Sequence, residues 1–371
     1  METKHITAKD DGVKVVKLSA IAKHIVDNIP DSKEKLGRKK YVEWGEDNKY
    51  PFFINDLYEN VPTLASIING CMDYVAGNRI IFNGIPQGDD ETEDTIINGR
   101  GDTVEDLIRE MAKENALYNG FALEIIRTKD LSEISEVCIL PLRYLRSDEN
   151  HEVFYYNEGF GDKWNKKGSV VLPKYLPDKR QGASVLYVKG AGISTYPKPI
   201  YQSAIESCAI EMEVNQFHYN SIRNGFMGSY IVGFNTGVPD DEMKAEIEDE
   251  FYEKYCGSEN AGNVMLLWTR GKEYAPTVIK MDIQDYGEKY ETLVKRSSQQ
   301  IFTSFRANPN LFGIATESNG FNSEEYEYTF KLFNKTTIRP MQKRIISTIN
   351  RIFGRGSLQI EPFDLEERQD G

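Results

Sequence analysis

Apolar residues recur at three- and four-residue steps through several stretches of this chain, and each such stretch predicts a helix. From Pro51 to Gly77 the periodic set is Leu57, Val61, Leu64, Ile67, Ile68, Cys71 and Val75. Pro62 should break or start a helix there, and Gly77 should end it in the left-handed region. Thr103 followed by Glu105 and Asp106 reads as a helix start, with acids at the positive end. Leu107, Met111, Ala116 and Leu117 line that helix up to Asn119-Gly120. A further helix is expected from about Ile200 to Asn224, with a heptad-like seam of Tyr201, Ile205, Cys208, Met212, Asn215, Tyr219 and Ile222. Others should cover 239–257, 285–306 and 324–353, the last with a kink or break near Pro340.

Strand signals alternate with these. "NRIIFNG" reads as one strand. Residues 121–190 hold "FALEIIRT", "SEVCILPLRYLRSD", "HEVFYYNE", "GSVVLPKYL" and "ASVLYVKG", short runs rich in β-branched and aromatic residues and split by turn residues. "FMGSYIVGF", "NVMLLW" and "PTVIKMD" follow. Helices flank the β-rich stretch without a strict βαβ alternation. The expected class is therefore α+β, and a doubly wound parallel sheet is excluded.

Composition narrows the function. The chain has 371 residues, 40% hydrophobic and 28% charged, enough for a substantial core. Its four cysteines, Cys71, Cys138, Cys208 and Cys256, are widely separated, which argues against a disulfide scaffold or zinc site and for a reducing compartment. The four histidines share no metal-ligand spacing, and no cofactor is expected. No GxSxG or Walker-type loop occurs, and "GAGIST" at 190–195 leads to a proline rather than a helix. No apolar run reaches membrane length, and the first residues lack a secretory pattern. A catalytic site is not expected.

Charge adds two exceptions to a net of −13. Between Tyr328 and Ile360 there is no acid but there are seven basic residues, and Lys331, Lys335, Arg339 and Lys343 step by four. Such a row forms a slanted cationic ridge, suited to a polyanion or simply to solvent. A second basic patch, Lys163, Lys166, Lys167, Lys179 and Arg180, lies in the β-rich stretch. Between two predicted helices sits "ANPNLFGIATESNGFNSEEY", in which Asn308, Pro309, Asn310, Leu311, Phe312, Gly313 and Ile314 form an apolar, glycine-containing loop.

Taken in order, "YPKPIYQSAIESCAIEMEVNQFHYNSIRNGFMGSYIVGF", "GSENAGNVMLLW" and "IFTSFRANPNLFGIATESNGFNSEEYEYTFKLFNKTTIRPMQKRI" resemble the portal proteins of tailed bacteriophages and prophages, from about residue 50 to 353. The resemblance implies an elongated portal-type subunit. Its parts would be an N-terminal arm (1–40), a mixed αβ wing (41–102 with 226–306), stem helices at 103–120 and 198–225, and a β-rich clip (121–197). A tunnel loop (307–323), a long helix (324–353) and a short tail (354–371) with little or no crown would complete it. It further implies a homo-oligomeric ring, a dodecamer, at a capsid vertex, through which double-stranded DNA is packaged and ejected. Implied partners are the terminase large subunit, the major capsid protein and a head-completion or adaptor protein. The place would be the virion, and the host cytoplasm during assembly, with no membrane. On the residues alone, a monomeric adaptor or a metal-dependent nuclease or hydrolase are the alternatives.

Overall fold

A computed structural model describes residues 14–15, 29–36, 40–84, 95–161, 168–223, 230–234, 264–268, 284–314 and 323–363. The chain divides into two compact units. The larger holds Pro30–Cys208 and Ser298–Gly371, and the smaller holds Met1–Ile29 and Ala209–Ser297.

In the larger unit, strands β2 (Lys35–Leu36) and β3 (Val42–Glu43) form a short antiparallel pair. Helices α1 (Tyr50–Asn60) and α2 (Pro62–Ala76) follow, each with a proline in its first turn, where the missing N–H has no helical partner to lose. Pro62 thus starts a helix rather than kinking one. Gly77 ends α2 with φ 70° and ψ −158°, not in the left-handed helical region that its sequence context predicts. The chain turns out there to begin β4 (Arg79–Phe82), and a Cβ on Gly77 would collide with the Glu361 carbonyl oxygen. Helix α3 (Val104–Tyr118) opens with the expected Thr103 cap. The Thr103 hydroxyl accepts from the Asp106 N–H at 3.1 Å, and Asp106 accepts from the Thr103 N–H at 2.9 Å.

The β-rich stretch forms two small sheets. Strands β5 (Gly120–Arg127), β6 (Ile134–Leu140) and β10 (Ala183–Lys189) make an antiparallel sheet in the order β10-β5-β6. Strands β7 (Leu145–Ser147), β8 (Val153–Tyr156) and β9 (Val170–Pro173) make the other. The sheet through β5 packs on α3. The core continues through Ile54, Leu57, Leu64, Ile67, Cys71, Leu107 and Met111 to Met341, Ile345 and Ile349 of the terminal helix, all buried. Each such side chain contributes about 1.5–3 kcal/mol.

Arg146 is fully buried in this unit, and among the described residues no carboxylate pairs with it. Its guanidinium donates to Asn48 Oδ1 at 2.7 Å, to the Asn48 carbonyl at 3.0 Å and to the Leu145 carbonyl at 2.7 Å. It also lies 4.6 Å from the Phe160 ring centroid and 5.8 Å from that of Trp44. Burial pulls its pKa down to about 10. Nothing in "PLRYLRSD" marks this arginine apart from its neighbours, because Asn48, which takes two of its hydrogen bonds, lies about a hundred residues away.

Helix α4 (Ile205–Arg223) follows a short turn at Gln202–Ala204, and helix α5 spans Gln284–Phe305. The boundary between units falls within both helices. In the smaller unit β11 (Tyr230–Phe234) pairs in parallel with β12 (Val264–Trp268), whose other edge carries β1 (Lys14–Val15). A parallel pair needs a crossover of a dozen or more residues, which the 235–263 connection supplies in length. The helix expected at 239–257 and the strand expected in "PTVIKMD" lie outside the described residues.

The terminal helix comprises α6 (Ser323–Phe333), a π-helical turn at Asn334–Ile338, and α7 (Arg339–Phe353). The predicted kink is thus a π turn just ahead of Pro340. Pro340 has no N–H for the carbonyl four residues back, and the Arg339 N–H bonds instead to the Asn334 carbonyl, five residues back. The tail contributes strand β13 (Leu358–Glu361), antiparallel to β4. The segments named as wing in the resemblance fall in different compact units. Residues 41–102 share a unit with the β-rich stretch and the terminal helix, whereas 226–297 belong to the smaller unit.

Candidate nucleic-acid interface

The cation row lies on the terminal helix, and its four members are exposed. An α-helix turns about 100° per residue, so a row stepping by four drifts by roughly 40° per step and roughly 120° from 331 to 343. A π turn advances less per residue, about 80°, because its hydrogen bond spans one residue more. Five such residues remove roughly 90° of the drift, leaving about 30°. The row is therefore nearly straight rather than slanted. Burial shows the same on the opposite face: Phe333, Thr337, Met341, Ile345 and Ile349 also step by four, and all are buried. Thr337 anchors the turn by donating to the Phe305 carbonyl at 3.2 Å.

Of the row, Lys331 is paired with Glu327 at 3.2 Å in the exposed i,i+4 arrangement, a pair worth a few tenths of a kcal/mol. Arg344 stands off the row and does other work. Half-buried, it donates to Asn115 Oδ1 at 2.5 Å and to Asn119 Oδ1 at 3.1 Å, fastening α7 to the end of α3, and burial lowers its pKa.

Part of the apolar loop packs within its own chain. Pro309–Phe312 forms a 3-10 turn capped by Asn308, whose side chain accepts from the Asn310 N–H at 3.0 Å. Leu311 is buried, and the Leu311 carbonyl accepts from the Tyr74 hydroxyl at 3.1 Å. The Phe312 ring packs 5.7 Å from Phe302, 5.8 Å from Phe333 and 6.4 Å from Tyr74, centroid to centroid. These two side chains serve their own subunit's core, because a bare glycine at position 70 leaves a seat for the ring. Only Gly313 and Ile314 of the described loop residues are exposed.

The α4 seam also divides. Tyr201, Ile205 and Cys208 are buried, and Tyr201 stacks on Phe305 with centroids 5.0 Å apart. Met212 is half-buried, while Asn215, Tyr219 and Ile222 are exposed. In the smaller unit the described buried positions of α4 are Ala209, Glu211, Val214 and Asn220, none of them a seam position. Helix α3, by contrast, has ten of its fifteen residues buried, and Glu105, Asp106, Arg109, Glu110 and Lys113 form its polar, less buried face. Lys179 and Arg180 of the second basic patch are exposed, and Lys163, Lys166 and Lys167 lie outside the described residues. Among the described residues no cluster of His, Cys, Asp and Glu could hold a metal ion, and no helix is long and apolar enough to cross a membrane.

The chain is thus an α+β protein whose terminal helix exposes a straight row of cations. A family model described as phage portal protein matches residues 100–369, and the chain belongs to that family. The solved structures it resembles agree in fold. One is a chain of the virion of a native gene transfer agent particle, at 14% identity and a TM-score of 0.55, covering 94% of this chain and 91% of that one. Another comes from the neck of a native gene transfer agent particle with C12 symmetry, at 13% identity and a TM-score of 0.53, covering 94% and 90%. A weaker likeness, at 11% identity and a TM-score of 0.46, is to an HK97-family phage portal protein from Corynebacterium diphtheriae, covering 83% and 95%. No curated protein matches the sequence.

Proposed function

We propose that copies of this chain close into a ring-shaped channel at one vertex of a capsid. Double-stranded DNA enters through it, driven by a terminase, and later leaves through it. The major capsid protein surrounds the ring, and a head-completion or adaptor protein with the tail attaches to it. The family match over residues 100–369 carries this reading. The C12 symmetry of a neck assembly with the same fold supports twelve copies.

Two surfaces fit the proposal. Tyr219 and Ile222 on α4 and Leu293 on α5 are large apolar side chains left 62%, 64% and 42% exposed, as expected of faces that meet neighbouring copies. The straight cation row would guide phosphates, while a body of net charge −13 keeps DNA from adhering. We take α4 and α5 as the stem pair in place of 103–120, because both carry large exposed apolar side chains and α3 carries none. Residues 226–283, between those two helices, then take the clip role in place of 121–197. The exposed part of the loop after Phe312 remains the segment assigned to the bore.

The purified chain should form rings with a central hole in negative stain, with a mass by light scattering twelve times the 42.4 kDa of the chain. Replacing Lys331, Lys335, Arg339 and Lys343 together by Glu should leave the rings intact and abolish DNA packaging. A monomer at every concentration would refute the ring. Full packaging by the variant would remove the row from the mechanism.

A further inference from the structure

The outward side of the terminal helix carries a second row. Tyr328, Leu332, Thr336 and Pro340 also step by four, and none of them is charged. Leu332, Thr336 and Pro340 each follow one of the cations Lys331, Lys335 and Arg339. The second row therefore stands about 100° further round the helix, or about 80° within the π turn. Both rows cross the whole π turn, which straightens the second as it does the first. Tyr328 is 72% exposed and Leu332 52%. Among the described residues of the larger unit, they are the one pair of large exposed apolar side chains a helical turn apart. The Thr336 hydroxyl is used within the helix, donating to the Leu332 carbonyl at 2.8 Å. Pro340 is exposed and has no N–H. The next step, Arg344, turns in to Asn115 and Asn119, and the row ends there.

Charge and ring geometry point to the same occupant. DNA draws its affinity from cations, so an uncharged row offers it little. Copies that each carry −13 repel one another as wholes, and a contact between them is best placed where charge is absent. Copies in a ring also come closest near the axis. For the twelve copies that the C12 neck supports, helices about 10 Å across, upright and side by side, close a circle about 120 Å round. The bore left between them is about 28 Å wide, enough for a duplex. A helix whose cations face such a bore has a neighbouring copy against its flank. The uncharged row, about 100° round from the cations, lies on that flank.

We propose that Tyr328, Leu332, Thr336 and Pro340 form the contact through which the larger unit meets the next copy in the ring. The inference rests on the ring and on the reading of the cation row as facing DNA. It adds a contact in the larger unit to the α4–α5 face of the smaller one. Head-to-tail closure joins unlike faces, so the row packs on a different surface of the neighbour and not on its own counterpart.

Photo-cross-linking of the assembled full chain tests it. With p-benzoylphenylalanine in place of Leu332, irradiation should give a ladder of covalently joined chains, with and without a DNA duplex in the bore. Tyr328→Glu combined with Leu332→Glu should reduce the mass by light scattering from that of the ring to the 42.4 kDa of one chain. Helix content by circular dichroism should stay unchanged, since both side chains are exposed. Intact rings in the double variant, with cross-links confined to a single chain, would overturn the contact and leave the ring standing. Capture of the duplex in place of a second chain would make the row part of the bore wall and overturn the contact as well. An unsubstituted chain that stays monomeric at every concentration would overturn the ring itself.

Discussion

Glu114 is a carboxylate with little water. It lies on α3, 7% exposed, and accepts the Leu142 N–H at 3.0 Å. Burial pushes its pKa up to about 7; the Leu142 N–H, Lys113 and Arg143 pull the other way, and Glu110 adds to the rise. The folded state therefore holds this proton more tightly than the unfolded chain does. Its stabilising effect is complete below the ordinary carboxylate range and is lost as pH rises through about 7. Denaturant midpoints should fall between pH 5 and pH 8, and Glu114→Gln, which keeps an acceptor for Leu142, should flatten that fall. An unchanged pH slope in the variant would show that Glu114 is not the group responsible. Neither Glu114 nor Arg146 is distinguishable in the sequence, since burial of a polar group is decided by segments far away in the chain.

The terminal helix shows how an element can be legible in outline and wrong in detail. Its extent, its cations and a disturbance near Pro340 follow from the residues. Whether the disturbance is a kink or a π turn depends on what the helix packs against, here α2, α3 and the end of α5. The loop before it behaves likewise. Its Gly and Asn content marks a break between helices, but Phe312 is held by the space above Gly70, where a Cβ would come within 2.5 Å of the ring. Gly70→Ala should displace Phe312, destabilise the larger unit by on the order of 2 kcal/mol and speed amide exchange at 309–312. Unchanged exchange there would mean that the ring finds another seat and that the turn does not depend on it.

At the scale of the whole molecule, the division into two units decides which segments can act together. The family resemblance implies a wing that joins 41–102 to 226–306, whereas the packing places 41–102 in one compact unit with 120–189. If the clip role belongs to 226–283, cross-linking of a terminase-bound ring should reach Lys244, Lys254, Lys272 and Lys280. Cross-links confined to Lys163, Lys166, Lys167 and Lys179 would return that role to the β-rich stretch.

What the sequence determined by itself is local or cumulative. Helix and strand positions, the Thr103 cap, the α+β class and the four-step spacing of the cations each depend on neighbours within a few turns. The family resemblance depends only on the order of such segments. The tertiary structure alone decided the pairing of β13 with β4, the burial of Arg146 and Glu114, and the seating of Phe312. It also decided the π turn that straightens the cation row. These features arise where residues tens to hundreds of positions apart exclude water together, and no window along the chain contains both sides of such a contact.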